Sequence, residues 1–450
     1  MKINSLRHSP VAVLAGIVAL GLAGGLTFHA YRNFQLPESN SVGTPPIAAL
    51  ATPDNPAIAS PIRFLENRVK QDPADFSAYN KLAAYYLQLL RETGNIAYLD
   101  LTLRAAHSSL AVVPANQNTG ALAALAQAEY ASHNFVAARD HALQLIKLTP
   151  NRNSSYQLLG DVRLELGDYD PAIAAFHQME RFSRGLTLGT ETRQARLAML
   201  RGEVKVAQRH FSNALALTLN SPVPPPETVA WCYWQLGETA FAIGDYQTAE
   251  QHYHAALSAF PGYFNALASL GRVRAAQGDL SGAIGRYEAA VLRLPDPTFV
   301  AALGDLYQMT GQEKKAAQQY ALVEQIGHLS TVNGALYNRQ LALFYADHDL
   351  NTEVAYANAK GEYAVRRDIY GADAVAWTAL KAGKLDEAQA AMNQALRLGT
   401  QDAKLFYHAG MIAHAAGHQA AARNYLQRAL AINPQFDPLQ ALMAQKTIAK

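Results

Sequence analysis

Between Thr228 and Asp296 the chain carries one pattern twice, back to back. Gly237 recurs as Gly271, Gly244 as Gly278, Ala249 as Ala283, Tyr253 as Tyr287, Ala256 as Ala290 and Pro261 as Pro295. Every landmark returns after 34 residues. A fixed period of this length is the mark of stacked supersecondary units, and it excludes most other folds at once.

The spacing inside one unit shows what the unit is. Tyr233, Leu236, Gly237 and Ala240 fall at i, i+3, i+4 and i+7, the apolar stripe of a helix. Gly244-Asp245 breaks that stripe, and Ala249, Tyr253, Ala256 and Leu257 begin a second one that Pro261 stops. Each unit is therefore two antiparallel helices joined by a tight turn. Gly237 and Ala249 are small where the two backbones must approach, Ala256 is small against the next unit, and Tyr253 fills the space left over. One hairpin cannot bury its apolar faces alone, so the units must stack.

The first-helix small residue can be followed through Ala83, Ala126, Gly160, Ala195, Gly237, Gly271, Gly304, Ala342, Ala376 and Gly410. This predicts ten repeats, the first and eighth degenerate. Three steps are long, with extra chain at Arg91–Tyr98 and Ala115–Asn118, at Pro222–Pro226, and near Gly327–Gly334. The expected organisation is repeats one to four over 62–221, a proline-rich insert at 222–229, repeats five to ten over 230–436, and a capping helix over 437–450. The insert reads as a stiff loop between two parts of the array, or as a ligand for an aromatic groove.

The pattern of Tyr233, Leu236-Gly237, Gly244, Ala249, Tyr253, Ala256 and Pro261 resembles the tetratricopeptide repeat, with Ala240 where that family usually has Tyr. The resemblance implies an all-α fold, a right-handed superhelical solenoid. It also implies a protein-binding scaffold rather than an enzyme.

Before the repeats, Lys2 and Arg7 precede Val11–Phe28, which holds 18 residues and no charge. As a helix it would be about 27 Å long, enough to span a bilayer core. We expect 1–10 in the cytoplasm, 11–28 as a retained membrane anchor and the repeats outside the cytoplasm. The alternative is a signal peptide, cleaved at a site such as Ala23-Gly24-Gly25. Residues 29–61 are rich in proline and read as an extended linker.

The remaining composition excludes more than it proposes. Net charge is +2, so no bulk basic field recruits nucleic acid. The single cysteine, Cys232, permits no internal disulfide and reads as a buried apolar thiol. There is no phosphate-binding loop, no Gly-x-Ser-x-Gly and no His-Glu-x-x-His, and the repeats leave no room for a separate catalytic domain. No cofactor or metal is expected. The histidines, His408, His414 and His418 among them, read as surface or turn residues.

The resemblance places a concave groove on the second, fifth, ninth and twelfth residues of each first helix. In the fifth repeat these are Trp231, Trp234, Glu238 and Phe241; in the sixth, Asn265, Ala268, Arg272 and Ala275; in the seventh, Thr298, Ala301, Asp305 and Gln308. The ninth gives Tyr370, Asp373, Trp377 and Leu380, and the tenth Lys404, Tyr407, Met411 and His414. All three tryptophans fall on this face. We take Trp231, Trp234, Glu238, Phe241, Arg272, Asp305, Tyr370, Trp377 and Tyr407 as the candidate site for a protein or peptide partner. The alternative is that the aromatics pack between repeats. The groove lacks the Lys/Asn set with which chaperone-binding members of the family clamp a carboxylate. A membrane-tethered scaffold for cell-envelope assembly is the expected role. An accessory subunit gripping a carbohydrate is the other reading.

Overall fold

The computed structural model describes residues 56–332 and 338–449. These form twenty-two helices and no strand. Helix α1 (Pro56–Gln71) precedes the first hairpin and α22 (Pro438–Ile448) follows the last. Between them lie ten antiparallel pairs. Repeats one to three are α2 and α3 (Phe76–Thr93, Ala97–Val112), α4 and α5 (Thr119–Ala131, Phe135–Leu148), and α6 and α7 (Asn153–Leu166, Tyr169–Arg181). Repeats four to six are α8 and α9 (Leu188–Leu200, Val204–Leu219), α10 and α11 (Pro226–Ala242, Tyr246–Ala259), and α12 and α13 (Phe264–Ala276, Leu280–Arg293). Then come α14 and α15 (Pro297–Met309, Glu313–Val332), α16 and α17 (Arg339–Asp347, Thr352–Tyr363), α18 and α19 (Ile369–Lys381, Leu385–Ala395), and α20 and α21 (Ala403–Ala415, Gln419–Ile432). The expected all-α solenoid of ten repeats is what forms.

The Gly-Asp turn does two jobs. Gly244 takes a left-handed backbone (φ 76°) that ends α10, and the Asp245 side chain accepts from the Thr248 N–H at 3.1 Å to start α11. Asp279 caps α13 in the same way, accepting from the Gly282 N–H at 2.8 Å. Inside each hairpin the small residues sit where no larger one fits. A β-carbon at Gly237 would lie 2.3 Å from the Tyr253 ring, one at Gly271 2.5 Å from Tyr287, and one at Gly160 2.3 Å from Phe176. Ala249, Ala256, Ala283 and Ala290 are fully buried.

The solenoid also touches itself. The turn of one repeat rests on the loop that follows the fifth repeat beyond it. In repeat three, the Leu166 carbonyl accepts from the Arg367 N–H at 3.1 Å, and the Tyr169 hydroxyl accepts from the Ile369 N–H at 2.8 Å. In repeat four, the Leu200 carbonyl accepts from the Thr400 hydroxyl at 2.5 Å. In repeat five, the Tyr246 hydroxyl donates to Asn433 Oδ1 at 2.5 Å, and Asn433 Nδ2 donates to the Phe241 carbonyl at 2.7 Å. Gly94 of repeat one lies against Leu294 in the same register. One superhelical turn thus takes between five and six repeats, and successive turns are in direct contact along a seam.

Several sequence expectations change. The linker does not run to Pro61, because α1 begins at Pro56 and holds Pro61 within it. Ile58, Ile62, Leu65 and Val69 bury one face on the first hairpin, and that packing outweighs the bond proline removes. The insert is shorter than 222–229, since Pro226 is the first residue of α10. The extra chain near Gly327 is largely helix, for α15 runs to Val332. The expected anchor, the cytoplasmic N-terminus and residues 29–55 of the linker lie outside the described residues. No helix among the described residues is long and apolar enough to cross a membrane.

Candidate functional site: the inner wall

The first helices of the repeats build the inner wall, and their ninth residues carry charge of alternating sign: Asp161, Arg196, Glu238, Arg272 and Asp305 in repeats three to seven. One neighbouring pair of this ladder, Glu238 and Arg272, is bonded directly; Asp161 pairs with Arg193 and Arg196 with Glu165 instead. Arg272 Nη2 donates to Glu238 Oε1 at 2.6 Å, and the same oxygen accepts from the Tyr253 hydroxyl at 2.7 Å and the Ser269 hydroxyl at 2.8 Å. Burial pushes the Glu238 pKa up. The Arg272 charge and these three donors outweigh it and hold the carboxyl below its ordinary 4.5. The Arg272 guanidinium in turn lies 4.0 Å from the centre of the Phe241 ring.

Trp234 joins this network. Its indole N–H donates to Ser269 Oγ at 3.0 Å, and its ring meets Tyr263 edge-on. Trp231 packs edge-on against Phe211 of the preceding repeat. Both indoles are half-buried. Both indoles thus pack between repeats, as the alternative reading of the aromatics has it: the sixth repeat supplies one set of partners and the fourth the other. Phe241, Trp377 and Tyr407 are 5%, 3% and 4% exposed, so their rings are inside the wall rather than on it. Trp377 lies flat on His408, centroids 4.2 Å apart, and its indole donates to Asp347 Oδ1 at 2.7 Å. Tyr370 is the exposed aromatic of the set, its hydroxyl 3.4 Å from Asp402.

Asp305 and Asp347 anchor two further networks. Asp305 accepts from the Tyr320 hydroxyl and from His348 Nε2, both at 2.8 Å. The other nitrogen, His348 Nδ1, faces the Phe344 carbonyl at 2.8 Å, so it must donate. Both nitrogens thus face acceptors, an arrangement that favours the imidazolium over the neutral ring. Burial opposes that charge, and Asp305 overcomes it and raises the pKa. Asp347 accepts from Trp377, from Gln440 Nε2 at 2.9 Å and from Lys404 Nζ at 3.3 Å, which ties repeats eight, nine and ten to the capping helix.

His408 corrects the surface reading given to the histidines. It is fully buried, with Nδ1 2.8 Å from Asp373. Asp347, His348 and this buried pair were missed as a group, because nothing in the sequence shows which side chains of different repeats the curvature brings together. The first-helix register could have hinted at it, since Asp373 stands at a groove position where a lone carboxylate would need a partner. Cys232 is buried, and burial pushes its thiol up to about 11. Among the described residues no three His, Cys, Asp or Glu side chains are grouped so as to hold a metal ion.

The sequence itself now gives the decisive comparison. Family models described as tetratricopeptide repeat match residues 123–185, 192–264 and 375–435, and a further one matches 240–306; together they cover more than half of the chain. The chain belongs to the tetratricopeptide-repeat family. Solved structures of this family resemble it loosely. PilW, described as a widely conserved type IV pilus biogenesis factor, is 17% identical over 45% of this chain and 91% of its own, with a TM-score of 0.38. The human IFIT1 dimer with PPP-AAAA is 14% identical over 82% of this chain and 85% of its own, with a TM-score of 0.45. A tetratricopeptide-repeat protein from Parabacteroides merdae is 16% identical over 58% of this chain and 99% of its own, with a TM-score of 0.32. No curated protein matches the sequence. Tetratricopeptide-repeat proteins bind proteins or peptides, and an array of these repeats is an interaction scaffold.

Proposed function

We propose that this chain is a membrane-tethered, non-enzymatic scaffold that holds an extended polypeptide against its inner wall and serves assembly of a cell envelope. The observation behind the binding surface is the alternating ladder around Glu238, Arg272 and Asp305. Their side chains are 27%, 32% and 25% exposed, so each keeps an open edge while its other atoms are fixed by the array. Both signs of charge, held rigid beside the half-buried Trp231 and Trp234, suit the alternating donors and acceptors of a peptide backbone, and the exposed Tyr370 stands on the same wall in repeat nine. The tether rests on the uncharged run Val11–Phe28 behind Lys2 and Arg7. The carbohydrate reading has less behind it, since Phe241, Trp377 and Tyr407 offer no free ring face for a sugar to stack on.

A photo-reactive phenylalanine analogue at Tyr370, installed in the full chain in its native membrane, tests the surface. Irradiation should join the chain to one discrete polypeptide, and the same group at exposed Leu292 should not. Equal products at both positions, or none at Tyr370, would remove the inner wall from the proposal. Retention of the chain in membranes after an alkaline carbonate wash tests the tether.

A further inference from the structure

The seam is built, not incidental. Arg366, from the loop before α18, reaches the third repeat: its Nη2 donates to Glu165 Oε2 at 2.6 Å. Glu165 is also paired with Arg196 on the next repeat. On its own side Arg366 is fixed by Glu362 at 2.9 Å, and Arg339 pairs with both Glu362 and Asp368 at 2.8 Å. Its guanidinium lies 4.7 Å from the Phe135 ring centre. The residue two places after the turn is aromatic in three of the five covered turns, those of repeats two, three and five (Phe135, Tyr169, Tyr246), and is Ile96 and Val204 in those of repeats one and four. It is Leu280, Glu313, Leu385 and Gln419 in repeats six, seven, nine and ten. The glycines divide in the same way. A β-carbon at Gly167 would lie 2.2 Å from the Arg367 carbonyl oxygen and one at Gly202 2.5 Å from Gln401 Cγ, whereas Gly278, Gly311, Gly383 and Gly417 have nothing within 4 Å. The covered turns are thus packed against a second turn of the array and the free turns are not.

Where the Arg367 N–H bonds the Leu166 carbonyl, no gap separates one superhelical turn from the next. The inner wall is then closed to lateral approach along repeats three to five and eight to ten. A solenoid's repeats touch only their neighbours, so it bends and stretches at low cost unless something joins distant repeats. We propose that the seam is a latch: closed, it denies an extended polypeptide lateral entry to the inner wall, and open, it admits one. The partner's nature rests on the reading under Proposed function; the latch itself does not.

The test needs no partner. Gly202→Cys with Gln401→Cys would lock the seam, since a β-carbon at Gly202 stands 3.2 Å from that of Gln401, close to disulfide geometry. Arg366→Gln would release it by leaving Glu165 with Arg196 alone. In both backgrounds Tyr370→Cys, at the exposed second position of repeat nine on the closed stretch of the wall, is titrated with N-ethylmaleimide and with a polyethylene-glycol maleimide of about 5 kDa, a bulk chosen to exceed the width of a helix. A chain with Cys232 alone is the blank. The bulky-to-small rate ratio should rise about tenfold or more on Arg366→Gln and fall back on locking, as expected for loss of a buried ion-pair partner. Small-angle scattering should show the released chain longer, with helicity unchanged. Failure of the Gly202/Gln401 pair to cross-link under mild oxidation would mean the seam is not formed in solution. An unchanged rate ratio in a cross-linking-competent chain would mean the seam gates nothing. Either result overturns the latch, and neither touches the Tyr370 cross-linking outcome. If Arg366→Gln lowers helicity instead, reducing the locked chain in otherwise native sequence gives the same comparison.

Discussion

Two glycines in one hairpin should respond in opposite directions to the same methyl group. Gly271 lies mid-helix in α12 and Gly285 mid-helix in α13. Replacing either by Ala removes the entropic penalty of a helical glycine, a gain of about 1 kcal/mol. At Gly285 nothing stands within 4 Å of the added carbon, so Gly285→Ala should stabilise by that full amount. At Gly271 the new carbon falls 2.5 Å from Tyr287 Cδ2 and 2.8 Å from Cε2. The Tyr287 ring is 7% exposed and cannot swing away without lifting α13 from α12. Overpacking of this kind costs roughly 1–3 kcal/mol. Gly271→Ala should therefore be neutral to about 2 kcal/mol destabilising, and the two variants should differ by about 1–3 kcal/mol. Tyr287→Leu should rescue Gly271→Ala, because the clash is with the ring edge. Because repeats can unfold singly, amide exchange in α12 and α13 by mass spectrometry is the assay, with urea melts beside it. If Gly271→Ala protects these amides as much as Gly285→Ala does, the backbone approach is not what holds the repeat, and the account of its small residues is wrong.

Asp347→Ala should destabilise the last three repeats by roughly 3 kcal/mol, because it strands the Lys404 charge and the Trp377 and Gln440 donors together; loss of exchange protection confined to α16 to α22 checks it. Acid should weaken the fifth and sixth repeats first. The folded Glu238 carboxyl has a pKa below 4.5, so its contribution is complete above that value and is lost as pH falls through the lower folded one. Glu238→Gln should remove that acid-dependent part of the melt. Trp234→Phe should leave helicity intact but loosen α12 against α10 by about 1 kcal/mol, the usual net value of one hydrogen bond, and Ser269→Ala in the same chain should add little.

The hairpins were legible because their determinants are local. Gly244 and Asp245 adjoin the helices they end and begin, and the spacing of Gly237 to Tyr253 is the same in every repeat that has a glycine there and an aromatic or leucine opposite. Pro61 misled because its cost is local while the packing of Ile58, Ile62, Leu65 and Val69 is not. The inner wall was legible as a set of positions but not as a set of contacts. Sequence placed Trp234 and Trp377 on one face; only the curvature of the array brings Ser269 and Asp347 to their indole nitrogens. The seam was invisible for the same reason, since Tyr169 and Ile369 are 200 residues apart. Its trace was the aromatic two places after the turn, in Phe135, Tyr169 and Tyr246, whose polar or ring edge serves a distant loop as well as its own hairpin.

Arrays of near-identical units usually change length freely in evolution, by copying or dropping a unit, because each unit answers only to its neighbours. The bonds from Leu166 to Arg367, Leu200 to Thr400 and Phe241 to Asn433 remove that freedom here. A unit duplicated or lost between the third and the tenth would shift at least one of those pairings by one place, and between the fifth and the eighth it would shift all three at once, so that each turn would meet the wrong loop. The number of units in that interval is therefore locked by geometry, and growth of the array is open only at its two ends.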